Sequence, residues 1–383
     1  MSHTKPSVQY LEKLRERYAQ ASKTERGQIL DEFVATTGYH RKHAIALLRG
    51  QRRHRDSTKP IRRPRARFYT AEDQRAVLWL AQLFDQINSK RLRSALTTEL
   101  GHLREQGHFR FSRQCFQHMQ RISPASMDRM RRIFRMGAPP HRGGTKPGSL
   151  LKQQIPIRTF ADWNDQRPGF GEIDLVQHEG GNSAGLFACS LNFTDVSTAW
   201  IGLRAVPTKA QGHVFAALKE IRTELPFPLL GLDSDNGAEF INDELVRYCV
   251  QEQLTFTRGR AGRKNDNPYV EQKNWSVVRR LVGYARYDTA RQVQLLNQLY
   301  RVYTLYVNHF LPVMKLLRKE RQGSRIKRIY DEPKTPYQRV LDAPTVSQIA
   351  KTKLRAQHRT LDIVHLKQQI DQYVTALKVS AGE

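Results

Sequence analysis

Three acidic residues, Asp174, Asp235 and Glu271, stand at positions where a carboxylate calls for an explanation. Asp174 lies in an apolar run from Ile173 to Val176, where a buried charge costs desolvation energy unless a cation or hydrogen bonds compensate it. Carboxylate oxygens are the ligands that Mg²⁺ prefers, and converging acids hold two such ions about 3.5–4 Å apart. The chemistry predicted is phosphodiester cleavage or transfer with two Mg²⁺ ions, for which Mn²⁺ can substitute.

The elements around these acids predict a mixed α/β sheet. Three short strand-like stretches with tight connections predict an antiparallel meander, at 172–178, 186–193 and 198–206. Two further strands are predicted at 228–232 and 254–257, separated by helices at 210–223 and 239–251. This order favours a five-stranded mixed sheet with helices. Asp235 follows the fourth strand, and strand ends of α/β sheets are where ligand groups gather.

Glu271 lies in the first turn of a helix that Asn267 and Pro268 open. Trp275 and Val278, four and seven residues onward, are apolar. Glu271, Trp275 and Val278 thus form one stripe of the helix, and this stripe is predicted to face the sheet. An acid on a stripe that faces the sheet is a candidate site residue. Helical patterning is predicted to continue over residues 291–318.

Neighbouring polar residues offer alternatives around the second acid. Asp233 is a rival, since two residues apart on a strand both acids can face one side. Glu239 is a candidate fourth ligand, although a first-turn acid is also favoured by the helix dipole. Asn236 is interpreted as a helix cap or a support for the Asp235 carboxylate, and Gly237 as the residue that permits a tight turn.

The segment from Gly171 to about Asp288 resembles the DDE catalytic core of retroviral integrases and insertion-sequence transposases, which has a ribonuclease-H-like fold. EIDLV around Asp174, SDNGAEF around Asp235 and NDNPYVEQKNW around Glu271 carry the resemblance. Thirty-five residues separate Asp235 from Glu271, as in the D,D-35-E group. The resemblance selects Asp235 over Asp233 and matches Asn274, three residues after Glu271, as a supporting residue.

The resemblance implies a DNA transposase or integrase that binds element ends and catalyses strand cleavage and strand transfer in DNA recombination. Its partners would be double-stranded DNA and further copies of the same chain. Two alternatives remain open from the residues. One is a DNA-binding regulator with an inactive nuclease-like core, and the other is a nuclease that cuts without joining.

The charge points to a polyanionic partner, because 64 Lys and Arg against 36 Asp and Glu give a net charge of +28. Residues 1–55 are predicted to form a helix-turn-helix DNA-binding unit, with an ordinary helical hairpin as the alternative. Arg41 and Lys42 begin its second helix. Residues 56–69 form a basic linker that either enters a minor groove or stays solvated, with the candidate contacts Arg62, Arg63 and Arg65.

Further domain boundaries follow from composition. Residues 70–136 are predicted to form a second helical DNA-binding unit, and the Gly- and Pro-rich residues 137–150 a flexible linker. The catalytic core is assigned to 151–320. The C-terminal region, 321–383, ends in a helical tail whose apolar seam either dimerises or packs back on its own protein.

Additional DNA contacts are expected from the loop after the fifth strand and from the helix behind Glu271. This loop is expected either to become ordered when it contacts the DNA backbone or to remain a solvated loop. The candidates are Arg258, Arg260, Arg263, Lys264, Lys273, Arg279 and Arg280.

Other function classes are disfavoured. The sequence contains no run of eighteen or more apolar residues, so no membrane span is predicted, and no signal peptide is recognised at residues 1–10. Three scattered cysteines make neither a disulfide framework nor a zinc site and suit a reducing compartment. The expected location is cytoplasmic and DNA-associated, on a bacterial nucleoid.

Overall fold

A computed structural model describes residue 6 and residues 8–50, 68–132, 167–234, 243–258, 273–322 and 325–382. The chain divides into two compact units, Met1–Phe68 and Tyr69–Glu383. In the described ranges no helix combines the length and the apolar character needed to cross a membrane.

The first unit contains three helices, α1 (Val8–Gln20), α2 (Lys23–Thr37) and α3 (Arg41–Leu48). A capping box at Ser22 starts α2, and Gly38, in the left-handed region at φ 72°, ends it. Phe33, Ala44 and Leu48 are buried in a small core that the three helices share. The two predicted helices and the Gly-containing turn between them are present, whereas their DNA-binding role stays a prediction.

The second unit is mixed α/β. Its helical elements are α4 (Ala71–Leu83), α5 (Ser89–Glu105), α6 (Arg113–Arg121), α7 (Pro124–Arg131), α8 (Gln211–Glu224), α9 (Asp243–Gln251), a π-helix (Asn274–Arg279), α10 (Arg280–Val282), α11 (Ala290–Phe310), α12 (Pro336–Asp342), α13 (Gln348–Thr360) and α14 (Ile363–Ser380). Its strands are β1 (Phe170–Gln177), β2 (Cys189–Asp195), β3 (Ile201–Val206), β4 (Gly231–Ser234), β5 (Thr255–Arg258), β6 (Leu316–Gln322) and β7 (Arg325–Tyr330).

The predicted five-stranded mixed sheet is confirmed, with the order β3-β2-β1-β4-β5. β1, β2 and β3 form the predicted antiparallel meander, while β4 is parallel to both β1 and β5. Side chains alternate between the faces of the sheet. Ile173, Leu191 and Leu232 face the side covered by α8 and α9. Val176 and Leu203 face the other side, with the π-helix and α11.

Two asparagines of α11 protect the outer edge of the sheet. β3 is an edge strand, whose outer N–H and C=O groups need partners. Asn308 bonds both the N–H and the C=O of Ile201, and Asn297 does the same for Ala205, all at 2.9 Å. The α11 side chains thus replace a neighbouring strand.

The α4–α7 helices share one buried cluster with the sheet, in contrast to the separate domain drawn from composition. Leu80, Leu92 and Met119 belong to the same cluster as Leu203 and Leu299. Short helices bury their apolar faces only against a partner, and α11 with the sheet provides it. The predicted linker at 137–150 lies outside the described residues.

The C-terminal tail packs back on its own chain. Ile363, Leu366, Ile370 and Leu377 of α14 are buried in that same cluster, and α14 lies along α11. Of the two alternatives for the apolar seam, this structure has the intramolecular one.

The prediction of helix up to residue 318 is wrong beyond Phe310. Leu311 is extended, at φ −100° and ψ 102°, because the following Pro312 disfavours the helical conformation of the residue before it. The chain then forms the β6–β7 hairpin.

Candidate active site

Three acids share the sheet face that meets the π-helix. On β1, Glu172 and Asp174 are two residues apart and so point to the same side. Glu172 lies opposite Asp233 of β4 in the parallel register. Glu172 and Asp233 are buried. One face of the sheet therefore gathers carboxylates from two adjacent strands.

Asp174 is held by amide groups. Its Oδ1 accepts a hydrogen bond from the Leu175 N–H at 2.7 Å, and its Oδ2 accepts one from Asn274 Nδ2. Asn274 Oδ1 in turn accepts from Asn192 Nδ2 at 2.9 Å. The chain Asn192–Asn274–Asp174 ties the start of the π-helix to β1 and β2, and it fixes the orientation of the Asp174 carboxylate.

Asn192 is a positioning residue that sequence reasoning missed. It lies directly opposite Asp174 in the antiparallel register and is fully buried. A signal was available, since Asn192 is a polar residue in a mostly apolar predicted strand. A buried amide in such a place needs polar partners.

Asp233, the rival for the second acid, lies within β4 and not after it. The Thr257 hydroxyl of β5 donates to Asp233 Oδ1. Glu172 was not singled out from the sequence, although EIDLV places acids at alternate positions of a strand. Among the described residues no three acidic, histidine or cysteine side chains converge closely enough to hold a metal.

The helix behind the third acid is not a regular α-helix. Residues 274–279 form a π-helix, whose wider i→i+5 turns change which residues share a face. Val278 is fully buried as predicted, but Trp275 is 61% exposed. The prediction that Trp275 faces the sheet is therefore wrong, because it assumed α-helical spacing. Single π-turns inside helices frequently mark functional sites.

Several predicted DNA contacts are engaged within the protein. Arg279 donates to the Gln177 carbonyl at 2.6 Å, and Arg280 donates to the Asp85 carbonyl, also at 2.6 Å. Lys273 is half-buried. Burial, with the positive charges of Arg91 and Arg339 nearby, lowers its pKa to about 7.

In the first unit, Arg41 forms an ion pair with Asp31, and its side chain remains half exposed. Lys42 is exposed, and its backbone N–H donates to His40 Nδ1 at 3.3 Å. Arg258 ends β5, and its side chain is not described. The remaining predicted site residues lie outside the described residues: Arg62, Arg63, Arg65, Asp235, Asn236, Gly237, Arg260, Arg263, Lys264 and Glu271.

His178 directly follows β1. It is buried, and its Nε2 lies 2.7 Å from Ser190 Oγ, which lies 2.6 Å from the Tyr300 hydroxyl. Burial lowers the pKa of His178 to about 3, with a smaller effect from Arg279, so the imidazole is neutral at physiological pH. These hydrogen bonds link the residue that follows β1 with β2 and α11.

No protein-family model matches the chain. An uncharacterized protein, y4rM of Sinorhizobium fredii, is 40% identical over 336 residues, which span 87% of this chain and 94% of that protein.

Solved structures give weaker matches. A magnesium complex of the HTLV-2 integrase catalytic core domain is 14% identical, covers 38% of this chain and 91% of its own, and has a TM-score of 0.29. The BIV integrase core is 14% identical, over 44% and 91% of the two chains, with a TM-score of 0.28. The simian T-cell lymphotropic virus intasome is 13% identical, over 56% and 70%, with a TM-score of 0.32.

Proposed function

The chain belongs to the same protein family as its Sinorhizobium fredii relative, and we propose that it is a metal-dependent polynucleotidyl transferase of the transposase and integrase kind. In this proposal Asp174, Asp235 and Glu271 bind the metal ions, and DNA is the substrate. The strand order, with β1 central and β4 parallel beside it, supports a ribonuclease-H-like assignment for the sheet.

The observation that carries the proposal is the hydrogen bond from Asn274 to Asp174. Glu271 precedes Asn274 by three residues, and three extended residues span at most about 11 Å. Ser234, the last described residue of β4, is the register partner of Ile173, and Asp235 is next in the chain. The covalent chain thus keeps both acids within short reach of Asp174.

The donor set suits Mg²⁺, since it consists of carboxylate oxygens, and no thiolate or imidazole competes in the three motifs. When bound, the ions would make the attacking hydroxyl more nucleophilic and stabilise the leaving 3′ oxygen. Asn274, which Asn192 holds in place, donates to one Asp174 oxygen and so fixes the direction in which the carboxylate presents its other lone pairs.

DNA binding is proposed for the helices of residues 8–48 and for the basic segments, on the strength of the net charge of +28. Transposition needs two element ends held together, and by analogy with transposases we therefore propose a multimer on DNA.

The test is a strand-transfer assay with element-end DNA and Mg²⁺. Asp174→Asn, Asp235→Asn and Glu271→Gln should each abolish cleavage and joining, while Glu105→Gln, a change at an exposed acid of α5, should leave both intact. Unchanged joining in Asp235→Asn would overturn the proposal. Cleavage without joining by the wild type would indicate a nuclease, and DNA binding without cleavage a regulator.

A further inference from the structure

The β6–β7 hairpin is the most concentrated cationic element among the described strands. Of its thirteen residues in Leu316–Gln322 and Arg325–Tyr330, six are Lys or Arg and one, Glu320, is acidic. The two strands form a sheet of their own. An isolated two-stranded ribbon is only marginally stable in water, so this one depends on its attachment to the rest of the second unit.

Exposed side chains stand on both faces of this ribbon. On one face Arg318 and Lys327 flank Glu320, with nitrogen–oxygen distances of 2.8 Å and 4.0 Å. The other face carries Arg321 and its cross-strand partner Ile326, with Arg328 diagonally beside them. Ile326 is 53% exposed. Within the described ranges the side chains of Arg321 and Arg328 form no ion pair or hydrogen bond.

The base of the ribbon is fixed to the body of the second unit. Val313 and Lys334 exchange backbone hydrogen bonds of 2.9 Å and 3.2 Å. Asp331 accepts from the Lys315 N–H at 2.6 Å and pairs with Arg339 of α12 at 2.7 Å. Lys315 Nζ reaches the Ser197 carbonyl at 2.8 Å. The exposed cations are therefore held in a set direction before any partner binds, which reduces the ordering cost of binding.

We propose that the β6–β7 ribbon is a DNA-contact surface, and that Arg321 and Arg328 bind phosphates of double-stranded DNA. This inference rests on the proposed function, since DNA is the partner there. Diagonal cross-strand neighbours are about 7–8 Å apart, so the two long side chains can reach separate phosphates. A two-stranded ribbon also fits the major groove of B-DNA, which is about 12 Å wide. Ile326 between the arginines supplies an apolar contact to the groove wall or to a thymine methyl group.

The experiment measures the salt dependence of binding of a double-stranded oligonucleotide by the full chain. Each phosphate contact contributes about −0.9 to the slope of log K against log salt concentration. The double variant Arg321→Gln and Arg328→Gln should make the slope less negative by about 1.8. The double variant Arg318→Gln and Lys327→Gln on the opposite face should change it by less, because Glu320 already offsets those charges. Arg301→Gln with Lys353→Gln, at exposed positions of α11 and α13, should leave the slope unchanged.

A slope for Arg321→Gln and Arg328→Gln equal to that of the wild type would overturn the inference, as would an equal change in the α11 and α13 control. Failure of the proposed function is distinguishable, because then the wild type itself would neither cleave nor join DNA. Sedimentation of each variant without DNA tests whether this face binds a second copy of the chain instead. Conversion of a multimer to a monomer by Arg321→Gln with Arg328→Gln would assign the face to that second copy. All substituted side chains are exposed, so matching thermal melts should confirm that each variant is folded.

Discussion

Replacing Asn274 with Ala should weaken metal binding and catalysis through the lost contact with Asp174. The variant loses a hydrogen bond to a carboxylate, which contributes about 1.5–3 kcal/mol. It also leaves the buried amide of Asn192 without its partner, at a cost of about 1–3 kcal/mol. Structural relaxation around the substituted residue recovers part of these two losses, so we expect the free energy of unfolding to fall by about 2–4 kcal/mol. Loss of a side chain that orients a metal ligand typically costs 10–100-fold in metal affinity or activity.

The matched control is Asn297→Ala. Asn297 likewise makes two hydrogen bonds on the same side of the sheet, but to the Ala205 backbone at the far edge. Its loss should reduce the free energy of unfolding by about 1–3 kcal/mol and leave metal affinity unchanged. Urea unfolding, calorimetric Mn²⁺ titration and strand-transfer rates would be measured for both variants. Equal metal affinity and rate in the two variants would refute the positioning role of Asn274.

Three other predictions concern stability. Burial raises the pKa of Asp195 to about 6 from 3.8, against hydrogen bonds from Thr198 and Gly169. A carboxyl group whose pKa is raised in the folded state contributes stability below pH 3.8, and this stability is lost as the pH rises through 6. The free energy of unfolding of the wild type, measured in urea titrations, should therefore fall by about 3 kcal/mol relative to Asp195→Asn between pH 3.5 and pH 7, and a constant difference would contradict this. Gly171→Ala places a Cβ 2.0 Å from the Phe193 ring and should lower the free energy of unfolding by about 1–3 kcal/mol. The control Gly212→Ala, which has open space around it, should not lower it. Equal melting temperatures of the two variants would count against the close packing at Gly171. Leu366→Ala should lower the free energy of unfolding by about 2–5 kcal/mol with no change in sedimentation, since α14 packs on its own chain; dissociation of a multimer would restore the dimer interpretation of the tail.

The sheet was predictable because its strands are short strand-like stretches, and tight connections join the first three. The short strand-like stretches and the helices between them predicted five strands in the correct order, although β4 begins at Gly231 and not at residue 228. Separate domains were harder to assign, because apolar stripes on α4–α7 do not reveal which partner buries them. The Gly- and Pro-rich stretch suggested a boundary, yet the helices before it share a core with α11.

Part of the candidate site depended on features that no local pattern encodes. Asn192 could be recognised as a polar residue in a predicted strand, but only the strand register sets it opposite Asp174. Trp275 was misplaced because the π-helix departs from the spacing on which the prediction relied. The β6–β7 hairpin was missed because helical patterning was extended through Pro312, which ends α11.

The central claim is that Asp174, Asp235 and Glu271 bind the same metal ions, and iron-directed cleavage of the polypeptide tests it most directly. Fe²⁺ would be bound in place of Mg²⁺ and treated with ascorbate and peroxide, so that hydroxyl radicals cut the backbone close to the metal. Mass spectrometry should find cuts near all three residues, suppressed together by excess Mg²⁺ and absent in Asp174→Asn. Cuts confined to one segment, or unaffected by Mg²⁺, would contradict a shared site.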